Sequence, residues 1–147
     1  MTTAPAIEAR GVTRVLPGTV PVTLVRDIDL AIAPGTFAAV TGPSGSGKSS
    51  LLYLLGLLDR PSEGHLSIEG KDTDDLDRDE ASALRLARIG FVFQFHFLLP
   101  EFSVLDNVLV PMRRLGRLGA AEMRSHAEVV LDRLGIAERA HRPRPRK

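Results

Sequence analysis

The segment Gly42–Ser49 holds the residues of this chain whose types and spacing are best suited to chemistry. Its sequence is a glycine, four variable residues, and Gly-Lys-Ser, which is the pattern of a phosphate-binding loop. A glycine-rich turn lets successive backbone N–H groups point at one centre, where they suit phosphate oxygens. Lys48 can place a positive charge on the outer phosphates, and the Ser49 hydroxyl can ligate Mg²⁺. The pattern therefore predicts a site for a nucleoside triphosphate. The predicted phosphate contacts are Gly42, Pro43, Ser44, Gly45, Ser46, Gly47, Lys48, Ser49 and Ser50.

The segments on either side of this loop have the character that the motif requires. Thr36–Thr41 is a short apolar run of the kind found in buried strands. Ser50–Leu58 is apolar all round and predicts a buried helix. The start of that helix would add free N–H groups and the positive end of the helix dipole. A glycine-rich turn that binds nothing is the alternative, and this strand–loop–helix setting disfavours it.

The composition excludes several classes of protein. A length of 147 residues predicts one domain, and 44% apolar with 25% charged residues is ordinary for a soluble globular protein. The net charge of +1 gives no reason to expect nucleic acid or a membrane surface as a partner. The absence of cysteine excludes disulfides and thiolate metal sites. The N-terminus does not resemble a signal peptide, and no apolar run approaches the about 20 residues that span a bilayer, so we expect no direct membrane insertion.

Periodicity and turn residues predict the remaining elements. Alternation indicates strands, helical spacing indicates helices, and glycine or proline marks the breaks between them. The acidic run Asp72–Asp79 is expected to be a solvated loop and helix start, and Pro111 is expected to end or kink the helix that Ser103 and Asp106 begin. The predicted strands are Ile7–Val15, Thr23–Val25, Ile28–Ile32, His65–Glu69 and Ile89–Phe93; the predicted helices are Glu80–Ala87, the segment after Ser103, and Ala120–Leu134, with a break at Asp59–Gly64.

A second motif separates the possible users of a phosphate loop. Gln94–Pro100, followed by Phe102–Val108, resembles the Q-loop region of ABC-transporter ATPases, and most of all the lipoprotein-releasing and macrolide-export ATPases. Gly56–Pro61 with Gly64, and Arg139–Pro143, are similar to the same subfamily. The resemblance covers nearly the whole chain, to about Pro143. It implies an α/β fold: a P-loop NTPase core with a partly antiparallel N-terminal sheet and the start of a helical subdomain from about residue 95.

The resemblance also implies roles for individual residues. Gln94 takes the place of the Q-loop glutamine, a catalytic position that helps to hold Mg²⁺ and the attacking water. A neutral amide oxygen suits this position because it ligates a hard cation without adding charge. The implied metal ligands are therefore Ser49 and Gln94, and the cofactors are ATP and Mg²⁺. For His96 we favour a structural or partner-facing role over catalysis.

At the level of the whole protein, the resemblance implies the ATP-binding subunit of an ABC exporter. Such a subunit couples ATP binding and hydrolysis to export or lipoprotein release through a membrane permease. The implied location is cytoplasmic, at the inner face of the cell membrane, and the full-length family protein is expected to form a homodimer.

The sequence departs from the family at the base-binding position. The family usually has an aromatic residue ahead of the phosphate loop, on which adenine stacks, and the matching position here is Val15. Valine offers apolar contact without ring stacking, which is worth roughly 1–3 kcal/mol per base in stacking sites. The sequence therefore predicts weaker ATP binding than that of a relative with tyrosine at this position.

A second departure lies at the end of the sequence. The family's Leu-Ser-Gly-Gly-Gln signature, the magnesium-binding aspartate and the catalytic glutamate are absent, and residues 142–147 are a basic tail rich in proline and arginine. We expect a single ABC ATP-binding domain without its C-terminal half, arising from a frameshift, a fragment or a genuine short protein. Hydrolysis at a family-like rate is not expected from this chain alone. Without neighbouring strands, Phe91, Val92 and Phe93 should be more exposed than in a complete domain.

Two other functions compete with this interpretation. A small P-loop kinase would need an arginine-rich lid after the loop, and Arg85 and Arg88 alone do not supply one. A non-catalytic module that binds nucleotide or a permease without turnover is the stronger alternative, because the hydrolytic residues are missing.

Overall fold

The computed structural model describes residues 4–95 and 97–142. The chain divides into two compact units, residues 1–85 and 86–147, and each is described by itself. His96 and most of the predicted basic tail, from residue 143 onward, lie outside the described residues. Within the described part, no helix has the length and apolar character needed to cross a membrane.

The first unit is built on a four-stranded antiparallel sheet. Its strands are β1 (Ile7–Leu16), β2 (Val22–Ile32), β3 (Glu63–Ile68) and β4 (Lys71–Asp72), in the order β2-β1-β3-β4. Each neighbouring pair runs antiparallel. The predicted strands Ile7–Val15 and His65–Glu69 correspond to β1 and β3. The sequence predicted a partly antiparallel N-terminal sheet; its antiparallel pairing is confirmed, and it extends to every pair of this sheet.

Strand β2 joins two segments that the sequence predicted as separate strands. Its pairing with β1 steps from Val12↔Ile28 to Arg14↔Val25, which leaves one extra residue on β2. Asp27 takes up the irregularity with a φ of 48°, and its N–H donates to the Thr13 hydroxyl at 2.9 Å. The break is a β-bulge inside one strand, because the neighbouring strand keeps both halves in one ladder.

One helix, α1 (Lys48–Leu55), packs on this sheet. Leu54 and Leu55 are buried with Val12 of β1 and Leu66 of β3. The prediction of a helix buried all round is wrong, since Leu52 and Tyr53 are each about half exposed, at 52% and 49%. A helix that rests on one sheet face buries one stripe of side chains, and no described element covers the other stripe.

The two predicted buried strands do not form. Thr36–Thr41 and Ile89–Phe93 have no strand structure, and no described strand pairs with either of them. Strand structure exists only as a ladder with a partner, so apolar composition alone cannot produce it. Phe37 is 95% exposed and Val92 is fully exposed. The expectation that Phe91–Phe93 would not be deeply buried is confirmed, with Phe93 at 41% exposure.

The acidic run after β4 begins the next helix, α2 (Arg78–Arg88). The Asp77 carboxylate accepts hydrogen bonds from the N–H groups of Asp79 and Glu80, both at 2.8 Å. The Glu80 carboxylate accepts from the Asp77 N–H at 2.9 Å, which completes a reciprocal capping arrangement. The run is thus an exposed turn and helix start, as predicted.

The second unit is a helical pair, α3 (Val104–Leu115) and α4 (Ala120–Arg133), followed by a 3₁₀ turn at Ala137–Arg139. The sequence predicted that Pro111 would end or kink its helix. Pro111 does not end the helix, because α3 continues to Leu115. Proline removes one helix hydrogen bond, and the packing of the apolar face outweighs that loss. The buried residues of this packing are Leu105, Leu109, Ala127, Leu131 and Ala140.

Ser103 is the N-cap of α3. Its hydroxyl accepts from the Asp106 N–H at 3.1 Å and lies 2.6 Å from the Asp106 carboxylate. The hydrogen bond from Ser103, assisted by the charge of Arg113, holds the pKa of Asp106 below its ordinary value. A carboxyl whose pKa is lowered by folding stabilises the fold above its unfolded pKa, and the contribution is lost as pH falls through the folded pKa.

We therefore expect Ser103→Ala to raise the pKa of Asp106 toward its ordinary value and to lower the melting temperature at neutral pH. An NMR titration of the Asp106 side chain, paired with thermal melts, checks both. Ser125→Ala, an exposed serine on α4, is the control. An unchanged Asp106 pKa in Ser103→Ala would contradict the assignment of the cause.

Candidate nucleotide site

The predicted phosphate loop is a tight turn that leads into α1. Gly45 and Gly47 have left-handed backbone conformations, with φ of 80° and 84°, and Gly42 has a φ of 151°. Gly47 is the N-cap of α1, whose first residue is Lys48. The first N–H groups of a helix have no intrahelical acceptor, so the start of α1 offers donors and the positive dipole end to an anion. Ser49 and Ser50 lie in this first turn, as the sequence predicted.

Gly47 also fits the loop closely against the sheet. A Cβ atom at this position would lie 2.3 Å from the Leu24 carbonyl oxygen of β2. No side chain can occupy that space, and the left-handed φ would itself disfavour one. The close approach of Gly47 to β2 fixes where the loop begins its helix. It gives the glycine of the motif a packing role that the sequence pattern did not reveal.

Lys48 bridges the loop with its side chain. Its Nζ donates to the carbonyl oxygens of Gly42 at 2.9 Å and Pro43 at 2.6 Å. The Ser46 N–H donates to the same Pro43 carbonyl at 3.3 Å. The ammonium therefore lies over the mouth of the turn, held by neutral carbonyl groups. An anionic phosphate oxygen is a stronger partner for an ammonium than a carbonyl is.

A cavity of about 300 Å³ opens beside the loop. Its lining includes Arg26 and Thr41 together with Ser46 and Lys48 of the loop. The described residues of the lining include these two basic side chains and no acidic one, which suits a negatively charged ligand.

Gln94 belongs to the second unit and lies in irregular chain between α2 and α3, so its role stays a prediction.

Val15, the predicted base contact, lies near the end of β1 and is partly buried. Successive side chains of a strand point to opposite faces. Val12 packs with α1, and Arg14 pairs with Asp59 just after α1, so both lie on the α1 face of the sheet. By this alternation Leu16, which is 40% exposed, shares that face and Val15 does not. The base contact at Val15 stays a prediction, and Leu16 is a second candidate for this contact because it lies on the α1 face of the sheet.

Two residues of the predicted break Asp59–Gly64 contact this end of β1. Ser62 hydrogen-bonds through its side chain to the Val15 backbone, and Asp59 forms an ion pair with Arg14. Both contacts join positions more than 40 residues apart. A sequence pattern with a short period carries no information about such a contact. The only local indication was the position of the segment directly after the helix of the phosphate loop.

A separate cluster of polar side chains lies on the surface of the β3–β4 hairpin. His65, Asp72 and Asp74 bring one possible ligand atom each within 4.8 Å of the others. His65 Nδ1 is hydrogen-bonded to Asp74, and the Asp72 carboxylate accepts from the Asp74 N–H at 2.9 Å. All three residues are exposed. The hydrogen bonds among these three residues explain why they lie close together on the hairpin.

Comparison with known proteins decides among the families that use a phosphate loop. A family model described as ABC transporter matches residues 25–147. The chain belongs to the ABC transporter family. The resemblance drawn from Gln94 and its flanking residues is thereby confirmed, and so are the fold class and the assignment to ABC transporter ATP-binding proteins.

Curated ABC transporter proteins match most of this chain. The macrolide export ATP-binding/permease protein MacB of Rhodopseudomonas palustris (strain BisB18) is 50% identical over 139 residues, which are 93% of this chain and 21% of the relative. The lipoprotein-releasing system ATP-binding protein LolD of Aquifex aeolicus is 44% identical over 119 residues, 81% of this chain and 53% of the relative. The chain thus spans about half of that LolD and about a fifth of that MacB.

A solved ABC cassette shares the fold. The dimeric, post-hydrolysis structure of the ATP-binding cassette MJ0796 bound to ADP and Pi matches with a TM-score of 0.85 at 35% identity. The match covers 95% of this chain and 61% of that cassette. The antiparallel sheet, the phosphate loop and the helical pair described above therefore belong to an ABC cassette fold.

Proposed function

We propose that this chain binds Mg·ATP through Gly42–Ser49 and serves as the ATP-binding part of an ABC exporter. The observation that carries the proposal is the loop itself. Its glycines adopt left-handed conformations, Lys48 lies over its mouth, and α1 begins directly behind it. The family match and the relatives' names support the choice of ATP as the nucleotide.

Each loop residue has a distinct task in this proposal. The free N–H groups at the start of α1 and in the glycine turn receive phosphate oxygens. Lys48 exchanges its two carbonyl partners for the outer phosphates, which replaces neutral acceptors by charged ones. The Ser49 hydroxyl, in the first turn of α1, offers a hard oxygen ligand to Mg²⁺, and Gln94 is proposed as a second. Bound Mg²⁺ would neutralise charge on the phosphates.

Export or lipoprotein release, ATP hydrolysis, a permease partner and pairing of two cassettes are proposed for the longer protein. The names of the MacB and LolD relatives support the transport role, and the dimeric cassette supports the pairing. Gln94 is proposed to act at the hydrolysing site. The location that follows is the inner face of the membrane, through the permease.

An equilibrium titration of the purified chain with ATP, with and without Mg²⁺, tests the proposal. We expect saturable binding that Mg²⁺ strengthens, and no phosphate release at the rate of a complete cassette. Binding that is independent of Mg²⁺ and equal for unrelated anions such as citrate would contradict the assignment of a nucleotide site.

The base contact gives a prediction that separates two neighbouring positions. Leu16 lies on the α1 face of β1 and Val15 on the opposite face, so a ring added at only one of them can stack on the base. We expect Leu16→Tyr to tighten ATP binding about tenfold, within the range of base stacking, and Val15→Tyr to change it less. The measurement is the ATP dissociation constant of each variant. The opposite ranking would favour Val15 as the base contact, and no change in either would contradict a base site at the end of β1.

A further inference from the structure

Ser62 supplies hydrogen bonds to a part of β1 that β3 does not reach. The pairing of β1 with β3 ends at Thr13↔Glu63, so the β3-facing edge of β1 has no strand partner at Val15. The Ser62 hydroxyl accepts from the Val15 N–H at 3.1 Å and donates to the Val15 carbonyl at 3.2 Å. The Ser62 N–H also donates to the Thr13 carbonyl at 2.8 Å. One serine thus replaces the missing strand, because a hydroxyl can donate and accept at once.

An ion pair reinforces the same junction. Arg14 Nε donates to the Asp59 carboxylate at 2.7 Å, and the two side chains are only 21% and 35% exposed. Arg14 Nη1 also lies 3.4 Å from the Ser62 hydroxyl. Asp59 is itself bound to the end of α1, since its N–H donates to the Tyr53 carbonyl at 3.2 Å. A continuous set of contacts therefore runs from the phosphate-loop helix to the end of β1.

We propose that Ser62 and Asp59 are positioning residues that set the distance between the base contact and the phosphate loop. The inference rests on the proposed nucleotide site, and it holds whether Val15 or Leu16 touches the base, since Ser62 fixes the backbone that carries both. The loop and the end of β1 are far apart in sequence, and both must meet one rigid ligand. If the loop and the end of β1 are already held at the correct distance, binding does not have to pay the entropy of ordering them.

The consequence is a selective effect on ligands that have a base. A nucleoside triphosphate engages the loop and β1 together, whereas inorganic tripolyphosphate engages the loop alone. Loss of the Ser62 hydroxyl leaves the Val15 N–H without this partner and leaves the Val15 carbonyl with the longer contact from Arg14 Nη1 at 3.4 Å. This end of β1 is then held less firmly, while the hydrogen bonds of the loop itself are untouched.

The experiment measures dissociation constants of the 147-residue chain for Mg·ATP and for Mg·tripolyphosphate. We expect Ser62→Ala to weaken ATP binding about fivefold, as expected for lost hydrogen bonds, and to leave tripolyphosphate binding unchanged. Ser62→Thr keeps a hydroxyl and should restore ATP binding. Ser125→Ala, an exposed serine on α4, is the matched control and should change neither constant. Asp59→Asn removes the charge at constant size and should also weaken binding of ATP but not of tripolyphosphate. This variant replaces Ser62→Ala in the experiment if Ser62→Ala does not fold.

Each other outcome overturns a defined part of the account. Equal weakening for both ligands would make the two residues merely structural. Unchanged constants, or a wild-type chain that binds ATP no better than tripolyphosphate, would refute the positioning role and leave the phosphate site intact. A wild-type chain that binds neither ligand would refute the proposed function and this inference with it.

Discussion

Lys48→Ala is expected to weaken Mg·ATP binding by about a hundredfold or more. That factor corresponds to about 2.7 kcal/mol, the size of one or two hydrogen bonds between charged groups. The lysine is the one charged side chain of the loop, and its ammonium already lies over the turn through the Gly42 and Pro43 carbonyls. Removing it takes away both the charge that would meet the phosphates and the hydrogen bonds to the Gly42 and Pro43 carbonyls.

Lys71→Ala is the matched control for this change. Lys71 lies exposed on β4 and carries the same charge, so its removal changes the net charge of the chain equally. We expect less than a twofold effect on ATP binding, because an exposed charge at a distance is screened by salt. Isothermal titration of the two variants with Mg·ATP gives the comparison. Similar losses in both would mean that ATP is attracted by overall charge and not by the loop.

Gly47→Ala is expected to destabilise the fold strongly. The added Cβ would lie 2.3 Å from the Leu24 carbonyl oxygen, and the residue would keep a φ of 84°. The backbone must move, because the clashing atom belongs to a paired strand. We expect the free energy of unfolding to fall by about 3 kcal/mol or more, with loss of nucleotide binding.

Gly45→Ala separates the steric clash from the backbone strain. Gly45 has nearly the same φ, 80°, but a Cβ there would meet no atom within 4 Å. Its cost should be only the strain of the left-handed conformation, about 1–2 kcal/mol. Chemical denaturation of the two variants measures the difference. Equal destabilisation would show that Gly47 does not pack against β2 as described.

The sequence predicted best those features that depend on nearby residues. The alternation of Ile7–Val15, the cap at Ser103 and the glycine turn of the phosphate loop each involve groups within a few residues of one another, and all are found in the structure. The family assignment came from Gln94 and its flanking residues, and the family match confirms it. These features need no knowledge of which distant segments meet.

The failures involve contacts between distant segments. Thr36–Thr41 and Ile89–Phe93 have strand-like composition, yet no described strand pairs with them, so Phe37 and Val92 lie exposed. The stripe of α1 that carries Leu52 and Tyr53 is exposed for the same reason. Strand pairing and helix burial depend on what lies opposite, and a local pattern does not specify that.

The candidate site divides in the same way. The loop residues and Lys48 follow from a contiguous motif. The lack of space for a side chain at Gly47 depends on the position of β2, and the Val15 backbone is hydrogen-bonded to Ser62, 47 residues away. The choice between Val15 and Leu16 required knowing that Val12 packs with α1 and that Arg14 pairs with Asp59. Chemistry held in one segment was predictable, and chemistry assembled from several segments was not.

NMR of glycine-labelled protein can show at single residues whether Mg·ATP binds at the phosphate loop. The chain has 13 glycines, so individual amide resonances can be followed during a titration. We expect saturable shifts of the Gly42, Gly45 and Gly47 amides and little change at Gly90 in the second unit. In Lys48→Ala, the shifts at the three loop glycines should be lost. An absence of saturable shifts at the loop glycines, or the same shifts in Lys48→Ala, would contradict binding at the loop.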